Sequence, residues 1–285
     1  MPDLDALVLE ENVFRPHLAR IVRKHRLTED TTLFALRFED SRLAERFTYR
    51  PGQFMEVSLM GVGEAPISLS STPTRSGIIE LVVRRVGRVT QALHRLEQNA
   101  LVGLRGPYGN GWPMEQLKGQ DLLLIAGGLG MAPLRSVALA VLDERCSYGH
   151  LSVLYGARTP ADLLFADELD DLGSRPDATV RLTVDQDPGG QWRGRLGVVT
   201  ALFEGLDLDP ARTYALCCVP PVAFKYVAAE LVARGFPGER ILMTLERKMQ
   251  CGVGKCGYCK IGHKYTCLDG PVFSYWDAIN LPGMI

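Results

Sequence analysis

From His17 to about Tyr108 apolar and polar positions alternate in short runs broken by turn residues: LARIV, TTLFALRF, QFMEVSLM, APISLSS, IIELVVRRV and LVGLRG. A period of two sends every second side chain to one face, so this part of the chain predicts an antiparallel barrel. One stretch breaks that period. In VTQALHRLEQ the apolar positions recur at helical spacing, and Thr90 stands where a cap for the N-terminus is expected.

After GPYGNGWP the pattern changes. Continuous apolar strands (DLLLIAGG, LSVLYGA, TVRLTVD, YALCCVP, ILMTLE) alternate with helical stretches (APLRSVALAVLDE, ADLLFADEL, VVTALFE, VAFKYVAAELVARG). Uninterrupted apolar strands are buried on both faces, so the alternation predicts a doubly wound parallel sheet. The boundary falls between Met114 and Gly119. From Arg247 onward the periodicity fades and cysteine, glycine and lysine dominate; such a tail cannot build a core alone and calls for a metal staple. The expected fold is therefore β plus α/β: an antiparallel barrel over residues 1–115, a doubly wound parallel-sheet domain over 116–246, and a small C-terminal segment over 247–285.

With 285 residues, 46% of them hydrophobic, the chain can bury a core large enough for two domains and an appendage. The net charge of −1, with both signs interspersed, supplies no footprint for nucleic acid or an anionic membrane surface. The N-terminus, MPDLDALVLEENVF, lacks the pattern of a secretory signal, and no apolar run approaches the roughly twenty residues of a membrane helix. The expected location is the cytoplasm, where clustered cysteines point to a metal or to catalysis rather than to disulfides.

Four of the seven cysteines fall in CGVGKCGYCKIGHKYTC, spaced Cys251-x4-Cys256-x2-Cys259-x7-Cys267. Three thiolates on a glycine-rich loop and a fourth downstream form the ligand pattern of a plant-type [2Fe-2S] site, where inward backbone N–H groups stabilise the anionic sulfurs. A structural zinc site is the alternative, although zinc modules usually separate two C-x2-C pairs by a dozen or more residues. A Rieske site would need two histidines, and the loop has only His263.

Two segments are candidates for phosphate binding. LLLIAGGLGMAPL places Gly127, Gly128 and Gly130 between an apolar strand and a helix, where backbone N–H groups and a helix start approach a phosphate. Pro133 takes the place of the last glycine of the dinucleotide fingerprint, and a plain tight turn explains the stretch equally well. In RRVGRVTQAL, Gly87 and Thr90 open the short helix beside Arg84, Arg85 and Arg88, either as a pyrophosphate site or as a solvated face.

These residues meet a known pattern. QFMEVSL, EAPISLSS, the VG-x-VT helix start, GPYGNGWP, AGGLGMAPLRS, YGARTPADLLF and LERKMQCGVGKCGYC, in this order, resemble the ferredoxin-NADP reductase superfamily over nearly the whole chain. Within it, the likeness is to the iron-sulfur flavoprotein (gamma, or diaphorase) subunits of cytoplasmic NAD(P)-linked hydrogenase/sulfur reductases. The electron-transfer subunits of dihydroorotate dehydrogenase, anaerobic sulfite reductase and bifurcating transhydrogenase are the related alternatives. The resemblance implies an FAD-binding barrel, an NAD(P)-binding domain and a [2Fe-2S] segment, the cluster being held by Cys251, Cys256, Cys259 and Cys267. It implies flavin contacts at Pro66, Ile67, Ser68, Arg84, Gly87, Val89 and Thr90, and nucleotide contacts at Gly128, Gly130, Met131, Arg158 and Thr159. The superfamily's Arg-x-Tyr-Ser flavin motif reads Ala65-Pro66-Ile67-Ser68 here, so Arg84 is the candidate for the missing charge. Ser68, Cys218 and Glu246 are the candidate catalytic positions. Cys218 has an equal reading as a small buried strand residue beside Cys217, and Glu246 as a partner of Arg247 or Lys248.

Arg158 and Thr159 suit the 2′-phosphate of NADP, unless Arg158 pairs with Asp162. Because pyridine nucleotides exchange hydride and iron-sulfur clusters exchange single electrons, the flavin between them is chemically required. The expected activity is electron transfer between NADH or NADPH and a partner catalytic subunit, most simply a hydrogenase-type subunit, since no terminal substrate motif is present. A stand-alone NAD(P)H:ferredoxin reductase and a non-enzymatic redox-sensing or zinc-stapled module are the rivals.

Overall fold

The computed structural model describes residues 12–75 and 77–281. Most of the N-terminal stretch read for targeting signals, and the last four residues of the C-terminal segment, lie outside the described residues.

β1 (His17–Arg26) and β2 (Thr31–Phe38) pair antiparallel, with a bulge between Ile21 and Arg23. A helix that strand alternation did not anticipate follows, α1 (Ser41–Arg46), because the Asp40 carboxylate accepts the N–H groups of Arg42 and Leu43. β3 (Phe54–Leu59), β4 (Gly63–Ser68), β5 (Ile79–Arg84), α2 (Arg88–Arg95) and β6 (Leu101–Tyr108) complete the unit. The six strands run β4-β3-β6-β1-β2-β5, and a bridge between Leu69 and Leu81 closes the barrel. Phe34, Leu36, Met55, Val57, Leu81 and Leu104 fill its interior. Leu33, Ala35 and Val82 point the other way, into a core shared with the second domain. That explains why β2 is buried along nearly its whole length. Gly87, not Thr90, caps α2; Thr90 sits in the first turn and reaches back, accepting the N–H groups of Val86 and Gly87 at 3.1 and 2.9 Å.

The second domain contains α3 (Met114–Leu117), β7 (Asp121–Gly127), α4 (Met131–Asp143), β8 (Leu151–Ala157), α5 (Ala166–Gly173), β9 (Ala178–Val184), β10 (Arg195–Leu196), β11 (Thr213–Cys218), α6 (Pro221–Ala233) and β12 (Ile241–Thr244). The C-terminal segment adds β13 (Lys260–Ile261), β14 (Lys264–Tyr265), α7 (Thr266–Asp269), β15 (Val272–Ser274) and α8 (Tyr275–Asn280). The large sheet runs β10-β9-β8-β7-β11-β12-β15. Its pairs are parallel except that of β12 with β15. Strand order reverses at β7 and β11, which opens a crevice beyond their C-terminal ends.

Two helical expectations are corrected. ADLLFADEL breaks into a short turn at Pro160–Asp162 and a helix that starts at Ala166, because Phe165 takes a left-handed φ of 58° and Leu164 N–H bonds to the buried Tyr155 hydroxyl at 3.1 Å. VVTALFE is a tighter 3₁₀ turn, Val199–Phe203. The tail is also more regular than its sequence suggests: β15 extends the large sheet, and Phe273, Ala278 and Leu281 share a core with Met243 and Phe224. This segment borrows the second domain's core and does not rely on a metal alone.

Barrel and sheet are clasped by α4. The buried Arg135 donates to Glu80 of β5 at 2.8 Å, to the Ser70 carbonyl at 3.1 Å and to Glu168 of α5 at 2.7 Å, and its guanidinium lies 4.6 Å from the centre of the Phe165 ring. Breaking a buried pair strands its partner, so Arg135→Ala is expected to destabilise the protein by about 3 kcal/mol or more in denaturant unfolding. Arg75→Ala, which removes the solvent-exposed pair with Asp143, is expected to cost within about 1 kcal/mol.

Candidate functional site

A cleft of about 450 Å³ opens where the barrel, the second domain and the cysteine segment meet, a size typical of small-molecule sites. Its walls are Ala65, Pro66, Ile67 and Ser68 of β4, residues 86–90 at the start of α2, Leu129, Ala132 and Pro133 of the glycine turn, Leu245 to Arg247 of the connection, and Met249 and Pro271 of the C-terminal segment. Pro66, Ile67, Ser68, Arg84, Gly87, Val89, Thr90 and Glu246, distant in sequence, come together here. The Ser68 hydroxyl makes no hydrogen bond among the described residues and stays available to a ligand. Thr90 is different: its hydroxyl is spent on the α2 start, donating to the Gly87 carbonyl at 3.1 Å. Arg84 is tied to Asp30 at 2.7 Å, whereas Arg88, on the same wall, makes no ion pair among the described residues. Sequence reasoning gave Arg84 the phosphate; the pairing with Asp30, across from the β5 end, was not legible in the local motif. An apolar slot with one free hydroxyl and a helix start carrying a free guanidinium fits a flavin and its pyrophosphate.

The glycine turn follows β7 at the crevice. Gly130 is required by close approach, since a Cβ there would lie 1.9 Å from the Cys218 carbonyl oxygen, and a Cβ on Gly127 would press on Pro220 at 2.8 Å. Gly128, with a φ of 53°, faces open space and can present its backbone to a phosphate. Met131, the first residue of α4, turns its side chain into the interdomain core, so only its backbone faces the helix start. Cys218 is likewise buried behind the turn and not on the cleft wall; burial pushes its thiol up to about 12, and Thr244 donates to the sulfur at 3.0 Å. At the end of β8, Asp162 accepts from the Thr159 hydroxyl at 2.7 Å and from the Thr159 N–H at 3.1 Å. Thr159 is therefore committed, while Arg158 is exposed with no ion pair among the described residues.

In the cysteine loop the backbone N–H groups of Val253, Lys255 and Cys256 point at the Cys251 sulfur at 3.4, 3.3 and 3.4 Å, and that of Gly254 points at the Cys267 sulfur at 3.1 Å. Burial would raise the Cys251 thiol, but these amides outweigh it and bring it down to about 7. Cys259 and Cys267 are buried with sulfurs 3.3 Å apart, and Cys256 is exposed. Among the described residues no three His, Cys, Asp or Glu side chains are grouped tightly enough to hold a single metal ion. What marks the loop is its amides, which suit an anionic cluster. Gly252 and Gly254 have φ of 75° and 72°, and a Cβ on either would strike Tyr108 at 2.7 Å or Leu268 at 2.2 Å.

GPYGNGWP is the dock for this loop, a role its sequence did not reveal. Asn110 Nδ2 donates to the Asp269 and Val272 carbonyls at 2.9 and 2.7 Å, and its Oδ1 accepts the Val272 N–H at 3.2 Å. Gly109 N–H reaches the Cys267 carbonyl at 3.2 Å. From β6, the buried Arg105 donates to the Cys251 carbonyl at 3.0 Å and to Glu64 at 2.9 and 2.5 Å.

Comparison with known proteins follows the same three bodies. Family models match in order: the oxidoreductase FAD-binding domain over residues 18–112, the oxidoreductase NAD-binding domain over 124–228, and the iron-sulfur cluster binding domain of dihydroorotate dehydrogenase B over 246–278. These make the chain an FAD- and NAD(P)-binding oxidoreductase with an iron-sulfur segment. Sulfhydrogenase 2 subunit gamma of Pyrococcus furiosus is 46% identical over 289 residues, covering 96% of this chain and 100% of its own. Sulfhydrogenase 1 subunit gamma of the same organism is 42% identical over 288 residues, covering 99% and 98%. Among solved structures, an NADH-dependent reduced ferredoxin-NADP oxidoreductase superposes with a TM-score of 0.72 at 25% identity, covering 94% of this chain and 90% of that one. The chain belongs to the family of the sulfhydrogenase gamma subunits, electron-transfer flavoproteins of the ferredoxin-NADP reductase type.

Asn110→Ala removes three hydrogen bonds to the docked segment, each worth about 1 kcal/mol. The variant is expected to keep its flavin and lose iron severalfold faster to a chelator, followed by iron release over time.

Proposed function

We propose that this subunit carries electrons between NADPH and a hydrogenase-type catalytic subunit through FAD and a [2Fe-2S] cluster, in the cytoplasm. The observation that carries the reading is a cleft of about 450 Å³ walled by the barrel, by the glycine turn and by Met249 and Pro271, which flank the cysteine loop. Bound there, a flavin supplies the exchange between hydride and single electrons that neither neighbour can perform. The chain's own part is positional. Ser68 offers a hydroxyl to the ring edge, the α2 start with Arg88 neutralises the pyrophosphate, and Gly128 seats the nucleotide phosphate. Glu246, on the wall where the connection enters the cysteine segment, faces the same space and is the remaining candidate for contact with the reacting ring.

The plant-type spacing and the converging amides support two irons. The choice of partner rests on the full-length likeness to sulfhydrogenase gamma subunits; the dihydroorotate dehydrogenase likeness supports the cysteine segment in particular. Among the described residues no helix is long and apolar enough to cross a membrane. Arg158, free of Asp162, supports NADP.

Anaerobically purified protein is expected to show flavin and iron-sulfur absorbance that bleaches when NADPH is added. Cys256→Ser is expected to lose the cluster signal while its flavin is still reduced; a colourless, zinc-containing protein would overturn the reading. Arg158→Ala is expected to lower kcat/KM for NADPH about tenfold or more relative to NADH, the scale of one charge-assisted phosphate contact, and an unchanged ratio removes the NADP assignment. Flavin content after purification separates the two arginines: Arg88→Ala is expected to retain less FAD than Arg84→Ala.

A further inference from the structure

Beneath the cysteine loop lies a carboxyl that the reading above leaves unused. Glu56, on β3, is fully buried, and neither of its oxygens has a hydrogen-bond partner. Its neighbours across the sheet are Pro66, on the flavin wall, and Arg105, on the loop dock. Residues directly opposite in a ladder share a face, so Glu56 stands between the two redox sites. The charged and titratable groups that face it are Arg105 and Tyr108 of β6, Glu64 of β4 and Cys251 of the loop.

Arg105 is the one cation among these groups, and it is already taken. Glu64 holds it bidentately, and its remaining donors go to the Tyr108 hydroxyl and to the Cys251 and Gln250 carbonyls. Glu56 is left without a counter-charge, and an unpaired buried carboxylate is costly enough to favour holding a proton. In accord with this, burial foremost raises Glu56 to about 7, against the attraction of Arg105.

We propose that Glu56 is the proton acceptor coupled to reduction of the iron-sulfur centre: as one electron arrives from the dinucleotide by way of the flavin, the Glu56 carboxylate forms an O–H bond with one proton from solvent. On reoxidation the same bond breaks and the proton returns to water, so the buried region keeps its net charge through the cycle. Of the carboxyls facing it, Glu64 is the one open to water, its side chain 29% exposed. The inference rests on the reading of Cys251 to Cys267 as a cluster loop.

The test is an EPR-monitored redox titration of the native anaerobic complex between about pH 6 and 9, the range around the shifted carboxyl, with iron measured in the same samples. Above about pH 7, where the oxidised protein carries the carboxylate, one proton per electron moves the wild-type midpoint negative by up to about 59 mV per pH unit, the tenfold step for a one-electron couple; below it the midpoint levels off, and Glu56→Gln is expected to make it independent of pH throughout at unchanged iron content. A flat wild-type potential, or the same slope in Glu56→Gln, overturns the proposal while leaving the cluster reading intact. Absence of iron from the wild type overturns both. Should Glu56→Gln fail to hold iron, the reduced-minus-oxidised infrared spectrum of the wild type decides: a protonated-carboxyl band that grows on reduction supports the proposal, and its absence overturns it.

Discussion

The whole arrangement hangs on one buried guanidinium. Arg105 stands in the second half of β6, almost wholly removed from water, and its donors reach Glu64 within the barrel and the carbonyls of Gln250 and Cys251 outside it. Burying a guanidinium is costly unless its donors are satisfied. Here they are, only when the cysteine loop is seated on the barrel. That couples docking of the loop to the integrity of the barrel wall, and it sets where the thiols lie relative to the cleft.

The rest of the geometry builds outward from this contact. Just beyond Arg105 the chain turns through Gly109, where a Cβ would collide with Pro271, and Asn110 then takes over the backbone groups of the returning segment. On the opposite side Arg135 performs the equivalent service for the second domain, binding Glu80 of the barrel and Glu168 of α5 together. Two buried arginines thus hold three bodies around one space. A cleft between separately packed units draws its walls from all of them, the glycine turn on one side and Met249 and Pro271, which flank the cysteine loop, on another.

Within that space the chain has already spent several groups that local motifs would offer to ligands. Thr90 is consumed by the start of α2, Thr159 by Asp162, Arg84 by Asp30, and Cys218 by its burial against the glycine turn. Ser68, Arg88, Gly128, Arg158 and the amides of the cysteine loop remain available. These are the groups with hydrogen bonds left to give, because a polar group satisfied inside the protein has little left for a ligand.

The barrel strands, the parallel sheet and the four-cysteine spacing were legible in the sequence because each rests on local rules: side-chain alternation, continuous apolar runs and glycines that permit a tight thiol loop. β2, β8 and the thiol loop lie where those rules put them. The break in ADLLFADEL was hidden, since it answers to the Tyr155 hydroxyl and the Arg135 guanidinium, far away in sequence. β15 was hidden for a related reason: three residues carry no usable period, and only the edge of β12 makes them a strand. What the sequence by itself determined is the barrel strands, the strands of the parallel sheet and the spacing of the four thiols. Only the tertiary structure decided which arginine is free, which threonine is occupied and which carboxyl is stranded. Those outcomes depend on pairings between elements, and a pairing becomes visible only when the partners are brought together in space.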